Sequence, residues 1–179
     1  MRQATTSLRR AGTLLLVAMV AALVLGSGVA LAANLIGTNS PETIVGTSAN
    51  DWIEGKGGGD ALYGMGGKDR VGGGSGDDLI RGGSGSDHPG FEIGPAAKGL
   101  YGGNGNDAVY GNDGNDFVEG GAGGDLLTGG YGDDSINGIA GEVTDTSDKI
   151  YCGEGTDRVD ASRRDFVAAD CEVVKRYSP

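Results

Sequence analysis

Single apolar residues recur along the chain at nine-residue intervals, each between residues of mixed polarity. They are Leu35, Ile44, Ile53, Leu62, Val71 and Ile80, and the series resumes at Leu100, Val109, Val118, Leu127, Ile136, Ile150 and Val159. Neighbouring side chains of a strand point to opposite faces, so a three-residue strand centred on each turns one apolar side chain inward. One such unit cannot fold alone, and a fixed period of this kind is typical of stacked repeats.

From residue 51 onward an aspartate lies two residues before the apolar position, and a glycine-rich loop precedes the aspartate. Glycine at the first and fourth loop positions allows the backbone to turn sharply. Stacking every second repeat, eighteen residues apart, aligns the apolar side chains in two facing rows. The pattern therefore predicts an all-β protein, a right-handed parallel β-roll over residues 33–160.

The nine-residue phase breaks twice. Residues 88–97, which include Pro89 and Pro95, form a predicted excursion, after which Lys98 falls in the aspartate position. A second excursion adds five residues at about 138–147. These breaks predict two blocks of repeats separated near Lys98, followed by a repeat-free C-terminal cap over 161–179.

Composition and charge narrow the function classes. Glycine supplies 38 of 179 residues and aromatic residues only 6%, which is also a composition of disordered segments, but disorder requires no phase. The formal net charge of −11 disfavours binding to nucleic acid and anionic membranes and favours binding of cations.

The N-terminus has the pattern of a secretory leader. Arg2, Arg9 and Arg10 precede an apolar run, and Ala30-Leu31-Ala32 fits a cleavage site. We expect cleavage after Ala32, so that residues 1–32 are a signal peptide and the mature protein is extracellular, with no membrane contact. The alternative is an uncleaved anchor, because residues 11–33 are long enough to span a bilayer.

The motif G-G-x-G-x-D-x-U-x, with U apolar, is clearest from Gly102 to Tyr110 and resembles the calcium-binding nonapeptide of the RTX, or haemolysin-type, family. The resemblance implies Ca²⁺ ions between repeats i and i+2, for example between Asp60 and Asp78. The implied aspartate ligands are Asp60, Asp69, Asp78, Asp87, Asp107, Asp116, Asp125 and Asp134, with weaker loop motifs at Asp51, Asp148 and Asp157. The implied carbonyl ligands include those of Gly73, Gly82, Gly102, Gly111, Gly120 and Gly129.

The residue types agree with this ion. Ca²⁺ accepts six to eight oxygen ligands from carboxylates and backbone carbonyls. Zinc is excluded as the main ion because His88 is the single histidine and the two cysteines are not in a metal-binding spacing. The resulting hypothesis is that the chain stays export-competent in the calcium-poor cytosol and folds with several Ca²⁺ ions outside the cell.

Other chemistry is sparse. Cys152 and Cys171 predict a disulfide, because exported proteins meet an oxidising environment. No H-E-x-x-H or G-x-S-x-G motif is present, and we expect no enzymatic activity. The alternative function is an adhesion or glycan-binding module, with an extracellular glycan or matrix partner at the outward residues Tyr63, Tyr101, Tyr110 and Tyr151.

Overall fold

A computed structural model describes residues 31–87, 99–139 and 146–178. Every regular element within these ranges is a β-strand, which confirms the all-β prediction. The fifteen strands described are β1 (Asn34–Ile36), β2 (Thr43–Val45), β3 (Trp52–Gly57), β4 (Ala61–Gly66), β5 (Arg70–Ser75), β6 (Leu79–Ser84), β7 (Leu100–Asn104), β8 (Ala108–Asp113), β9 (Phe117–Ala122), β10 (Leu126–Tyr131), β11 (Ser135–Asn137), β12 (Lys149–Glu154), β13 (Arg158–Ser162), β14 (Phe166–Val167) and β15 (Val173–Tyr177).

Odd-numbered and even-numbered strands form two separate sheets. The first has the order β1-β3-β5-β7-β9-β11-β13-β15 and the second β14-β12-β10-β8-β6-β4-β2. The pairing is parallel, with Ile53 beside Val71 in one sheet and Leu62 beside Ile80 in the other. The chain therefore alternates between the sheets at every repeat, which is the predicted β-roll. Right-handed winding stays a prediction, based on the strong preference of parallel crossovers.

The core is a narrow double row of apolar side chains between the sheets. All thirteen recurring apolar positions are buried, with exposures of 4% or less, and Cys152 and Ala161 extend the same cluster. Full burial of one such side chain contributes about 1.5–3 kcal/mol. Because each repeat adds a single large apolar residue, the stability of the roll depends on many stacked repeats.

The first interruption lies between an aspartate and its own strand. Leu100 of β7 pairs with Val71, and the amide of Asp69 donates to the carboxylate of Asp87. Asp87 is therefore the aspartate of the β7 repeat, and the extra residues follow it. The prediction that Lys98 takes the aspartate position and divides the array into two blocks is wrong, because counting along the chain gave Asp87 a repeat of its own, whereas its hydrogen bonds with Asp69 and Asp116 place it in the β7 repeat.

The second interruption lies in the loop between β11 and β12. Its first loop position is occupied by Gly138, whose amide donates to the carbonyl oxygen of Asp160 at 2.9 Å. The loop that leads to Asp148 therefore begins with a glycine, as the loops of the regular repeats do, and the extra residues follow that glycine.

The tail continues the roll. Strands β14 and β15 add a final parallel strand to the two sheets, and Asp165 joins the aspartate series. The nine-residue spacing is lost in this tail, as predicted from the sequence, but its strands keep the parallel pairing, and the role of residues 161–179 as a C-terminal cap stays a prediction. Residues 1–30, 88–98, 140–145 and 179 lie outside the described residues, so the leader and most of both excursions stay predictions.

Candidate metal centre

The aspartates form a continuous hydrogen-bonded ladder along the roll. One carboxylate oxygen of each accepts the backbone amide of the residue in the same position two repeats earlier, as Asp78 Oδ1 does from Asp60 N at 2.8 Å. The ladder pairs are Asp51–Asp69, Asp60–Asp78, Asp69–Asp87, Asp78–Asp107, Asp87–Asp116, Asp107–Asp125, Asp116–Asp134, Asp125–Asp148, Asp134–Asp157 and Asp148–Asp165. All eleven predicted aspartates lie on this ladder and are buried.

The second carboxylate oxygen is different. Among the described residues, the buried Oδ2 atoms that no hydrogen-bond donor reaches belong to Asp60, Asp69, Asp78, Asp87, Asp107, Asp116, Asp125, Asp134 and Asp157. A buried anionic oxygen without a donor carries a large desolvation penalty. Nine such oxygens in register fit bound cations.

A backbone carbonyl from the next stacked loop lies beside seven of these oxygens, those of Asp60, Asp69, Asp78, Asp87, Asp107, Asp116 and Asp134. A Cβ atom on Gly55 would lie 2.6 Å from the carbonyl oxygen of Gly73 and would collide with Oδ2 of Asp60. Glycine at this position therefore leaves room for two oxygens from two stacked loops. The same position is taken by the carbonyls of all six predicted glycines, namely Gly73, Gly82, Gly102, Gly111, Gly120 and Gly129.

Without a bound cation, the surroundings of the ladder aspartates oppose their ionisation. Burial raises the pKa of Asp87, Asp107 and Asp134 to about 7. The ladder hydrogen bonds from backbone amides lower these pKa values, and neighbouring carboxylates raise them further. Burial likewise raises the pKa of Asp69, Asp78 and Asp116 to about 6. A cation held between the carboxylates would remove this penalty.

The donor set decides which cation fits. No group of three or more His, Cys, Asp or Glu side chains capable of holding a metal is found in the described residues, so a side-chain cluster of the zinc type is absent there. What the loops offer is carboxylate and carbonyl oxygen, the ligand set of Ca²⁺. The aspartates and glycine carbonyls of stacked loops are the groups that would hold it.

Three loops at the ends of the roll satisfy their carboxylate internally. Thr47 donates its amide to Asp51 Oδ2 at 2.5 Å, and its hydroxyl lies 3.1 Å from both carboxylate oxygens. Glu42 and Asp165 receive the same pair of donors from Thr38 and Ser162. Sequence reasoning missed Glu42 and Asp165, although a Ser or Thr three or four residues before an acidic residue marks all three loops.

A second ladder, also missed, runs beside the first. The side chain just before an aspartate accepts the amide of the equivalent residue two repeats later, as Asn106 Oδ1 does from Gly124 N at 3.0 Å. The accepting side chains are Asn50, Asp77, Ser86, Asn106, Asn115 and Asp133. The frequent Asn and Asp at this loop position are the signal, and their role is to align successive loops.

The predicted disulfide is confirmed. Cys152 and Cys171 are bonded, with Cα atoms 5.2 Å apart. Cys152 is buried, and its carbonyl oxygen stands beside Gly129 where other loops place a glycine carbonyl. The bond thus fixes the tail to the last part of the aspartate ladder.

The outward tyrosines do not form one surface. Tyr63, Tyr110 and Tyr151 lie on the even-numbered sheet, and Tyr101 lies on the other. The Arg81 guanidinium stands 5.3 Å from the Tyr110 ring centroid, and Phe166 lies 5.7 Å from Tyr151. The Tyr110 and Tyr151 rings therefore already have partners within the protein.

Comparison with known proteins agrees with the loop chemistry. The model of the RTX calcium-binding nonapeptide repeat matches four times, at residues 36–71, 54–88, 100–127 and 119–142, which together cover more than half of the chain. No curated protein and no solved structure matches. In the described residues, no helix is long and apolar enough to cross a membrane. Repeats, ladder and oxygen-lined loops lead to one conclusion: the chain belongs to the RTX calcium-binding nonapeptide repeat family, and its repeats bind Ca²⁺.

Proposed function

We propose that this is a secreted, non-catalytic protein whose repeat array folds as it binds Ca²⁺ after export. The observation that carries the proposal is the row of nine buried Oδ2 atoms without a donor. Without the ion, folding would bury these carboxylates against one another and order a glycine-rich chain of high conformational entropy. With the ion, the free energy of binding adds to the free energy of folding.

The chain's own residues prepare the site. Each ladder hydrogen bond holds Oδ1 against a backbone amide, which leaves Oδ2 turned toward the glycine loop. Bound Ca²⁺ supplies the positive charge that these oxygens otherwise lack. The same aspartates that bind the ion also connect successive turns, so binding and folding share their contacts.

The leader supports export as the place where binding occurs. Outside the cell calcium is abundant, whereas the cytosol is poor in it, so the array would fold after crossing the membrane. N-terminal sequencing of protein from the culture medium should begin at Ala33. Protein that stays in the cells with Met1 intact would contradict export.

Circular dichroism tests the coupling. The strand signal should be present in Ca²⁺, be lost in EDTA, and return when Ca²⁺ but not equimolar Mg²⁺ is added back, because Mg²⁺ keeps its waters. Asp116→Asn should raise the Ca²⁺ concentration needed for folding. The exposed neighbour Asp113 provides the control Asp113→Asn, which should leave it nearly unchanged. A strand signal that survives EDTA would overturn the proposal.

A further inference from the structure

The loops of the roll differ in whether both carboxylate oxygens of their acidic residue accept hydrogen bonds. In the end loops both oxygens do, whereas in the central loops one does not. We infer that the loops of Glu42, Asp51 and Asp165 are ion-free turns, in which a Thr or Ser hydroxyl and amide replace Ca²⁺. The calcium sites then begin at Asp60 and end before Asp165. This inference rests on calcium binding by the central loops and specifies which members of the series take part.

Asp51 shows the replacement most completely. Its Oδ1 accepts the amide of Ala33 at 2.6 Å, and its Oδ2 accepts the amide of Thr47 at 2.5 Å. The Thr47 hydroxyl stands 3.1 Å from both oxygens. A Ca²⁺ ion at this carboxylate would have to displace charge-assisted hydrogen bonds that the protein already makes.

Glu42 and Asp165 repeat the arrangement at the two ends. The amide and hydroxyl of Thr38 each reach Glu42 at 2.7 Å. The amide of Ser162 reaches Asp165 Oδ2 at 2.6 Å, and its hydroxyl reaches Oδ1 at 2.8 Å. The same solution therefore occurs in loops of two lengths, which points to the hydroxyl residue as its cause.

The backbone at the second loop position separates the two kinds of loop. In the central loops this residue has positive φ, for example 110° at Gly74 and 82° at Asn112. Thr38, Thr47 and Ser162 hold this second position in the end loops, and none of the three has a positive φ. Threonine disfavours positive φ because it is branched at Cβ. Its amide instead turns to the carboxylate, and the loop closes on itself.

The consequence is a roll with metal-independent ends. Glu42 and Asp165 precede the edge strands β2 and β14, which have a strand neighbour on one side only, so an ion shared between loops is hardest to complete there. Hydroxyl-closed turns satisfy the carboxylates of Glu42, Asp51 and Asp165 without any ion. They would also hold the first and last turns in shape while the central loops fill with Ca²⁺.

Calcium stoichiometry of the full-length chain, measured by isothermal titration calorimetry, tests the inference. Asp60→Asn should lose about one Ca²⁺ per chain, since a carboxylate is removed from an oxygen cage. Asp51→Asn, the same change in the same slot one repeat earlier, should leave the stoichiometry unchanged. Loss of an ion by Asp51→Asn, while circular dichroism shows a folded roll in Ca²⁺, would overturn the inference.

A gain-of-site variant keeps the test decisive if Asp51→Asn fails to fold. Thr47→Gly removes the closing hydroxyl and permits a positive φ that would turn the remaining amide away from Asp51, so it should add about one Ca²⁺ per chain. Thr47→Ser retains the hydroxyl and should bind as many ions as the unchanged chain. No added ion in Thr47→Gly would contradict the inference. Failure of calcium-coupled folding would appear separately, as an unchanged strand signal of the unsubstituted chain in EDTA.

Discussion

The loops in the middle of the roll and the loops at its ends carry an acidic residue in the same position, but the second carboxylate oxygen lacks a hydrogen-bond donor only in the middle loops. Asp116 Oδ2 is buried without a donor, whereas Asp51 Oδ2 accepts the Thr47 amide. Both carboxylates serve the ladder equally through Oδ1. The difference teaches that the ladder is a structural device common to all repeats, and that cation binding is added to it by the loop.

The added property depends on one residue of the loop. Where the second position is Gly, Asn, Lys or Met with positive φ, the carboxylate is left open. Where it is Thr or Ser, the carboxylate is closed. One repeat can thus be a calcium loop or a metal-free turn without any change to the aspartate or to the apolar core.

Acidification in EDTA should give the largest change in thermal stability, and this change should come from the carboxylates of the central loops. The central pKa values are raised in the fold, to about 7 at Asp87 and Asp107. Their contribution to stability is therefore full below the ordinary value near 4 and is lost as the pH rises through 7. We expect the Tm without Ca²⁺ to rise as the pH is lowered from 8 to 5.

In saturating Ca²⁺ the trend should reverse, because protons compete with the ion for the same oxygens. Scanning calorimetry at several pH values, with and without Ca²⁺, measures both trends. The same slope under the two conditions would show that the central carboxylates are not the calcium ligands.

Truncation of an apolar core side chain should give a smaller loss of stability, and the loss should differ between the centre and the end of the roll. Ile80 in β6 packs between β4 and β8, while Ile44 in the edge strand β2 has a strand neighbour on one side. Ile80→Ala should cost about 2–5 kcal/mol, and Ile44→Ala less, because the edge can relax into the cavity. Urea unfolding in Ca²⁺ measures both, and equal losses would show that the array unfolds with no weaker end.

Removal of the disulfide should act at the C-terminal end. Cys152→Ser with Cys171→Ser opens a loop with a sequence separation of 19, worth about 3 kcal/mol on the chain-entropy model. Hydrogen exchange should increase in β12 to β15 and stay unchanged in β3 to β6. Uniform exchange along the roll would contradict a local role.

The smallest effect should come from the second loop position itself. Met65 adopts a φ of 83°, which is strained for a residue with a side chain. Met65→Gly should stabilise the calcium-bound protein by up to about 1 kcal/mol, since glycine accepts this backbone more easily. Thr47→Gly should instead destabilise the calcium-free protein by about 1 kcal/mol through loss of its hydrogen bonds. Opposite signs in thermal unfolding would confirm that the two loops are built differently.

Most of the fold could be predicted from the periodicity of the sequence, because each repeat follows the same local geometry of strand and turn. The thirteen apolar positions follow from the repeat phase together with strand geometry, and the eleven aspartates and the glycine carbonyls follow from the resemblance of the loops to the RTX repeat. The disulfide followed from the expected export of the chain and is present. These features were readable because they are the same in every turn.

The tertiary structure decided what phase alone could not. Counting along the chain placed Lys98 in the ladder, but the hydrogen bond from Asp78 N to Asp107 Oδ1 shows that the ladder passes directly across the insertion. Register between stacked turns is set by interstrand hydrogen bonds, and these tolerate extra residues on either side of an aspartate. The tail joined the sheets for the same reason, although its spacing departs from nine.

The sequence by itself thus determined the repeating unit, its buried side chains and the kind of ion that its oxygens bind. Only the three-dimensional structure decided which carboxylates have an oxygen left for that ion. Asp51 and Asp60 occupy the same position of the repeat, and they differ because the Thr47 amide turns toward one of them. Whether a buried oxygen has a donor depends on backbone direction in the folded loop, which the identity of the aspartate does not encode.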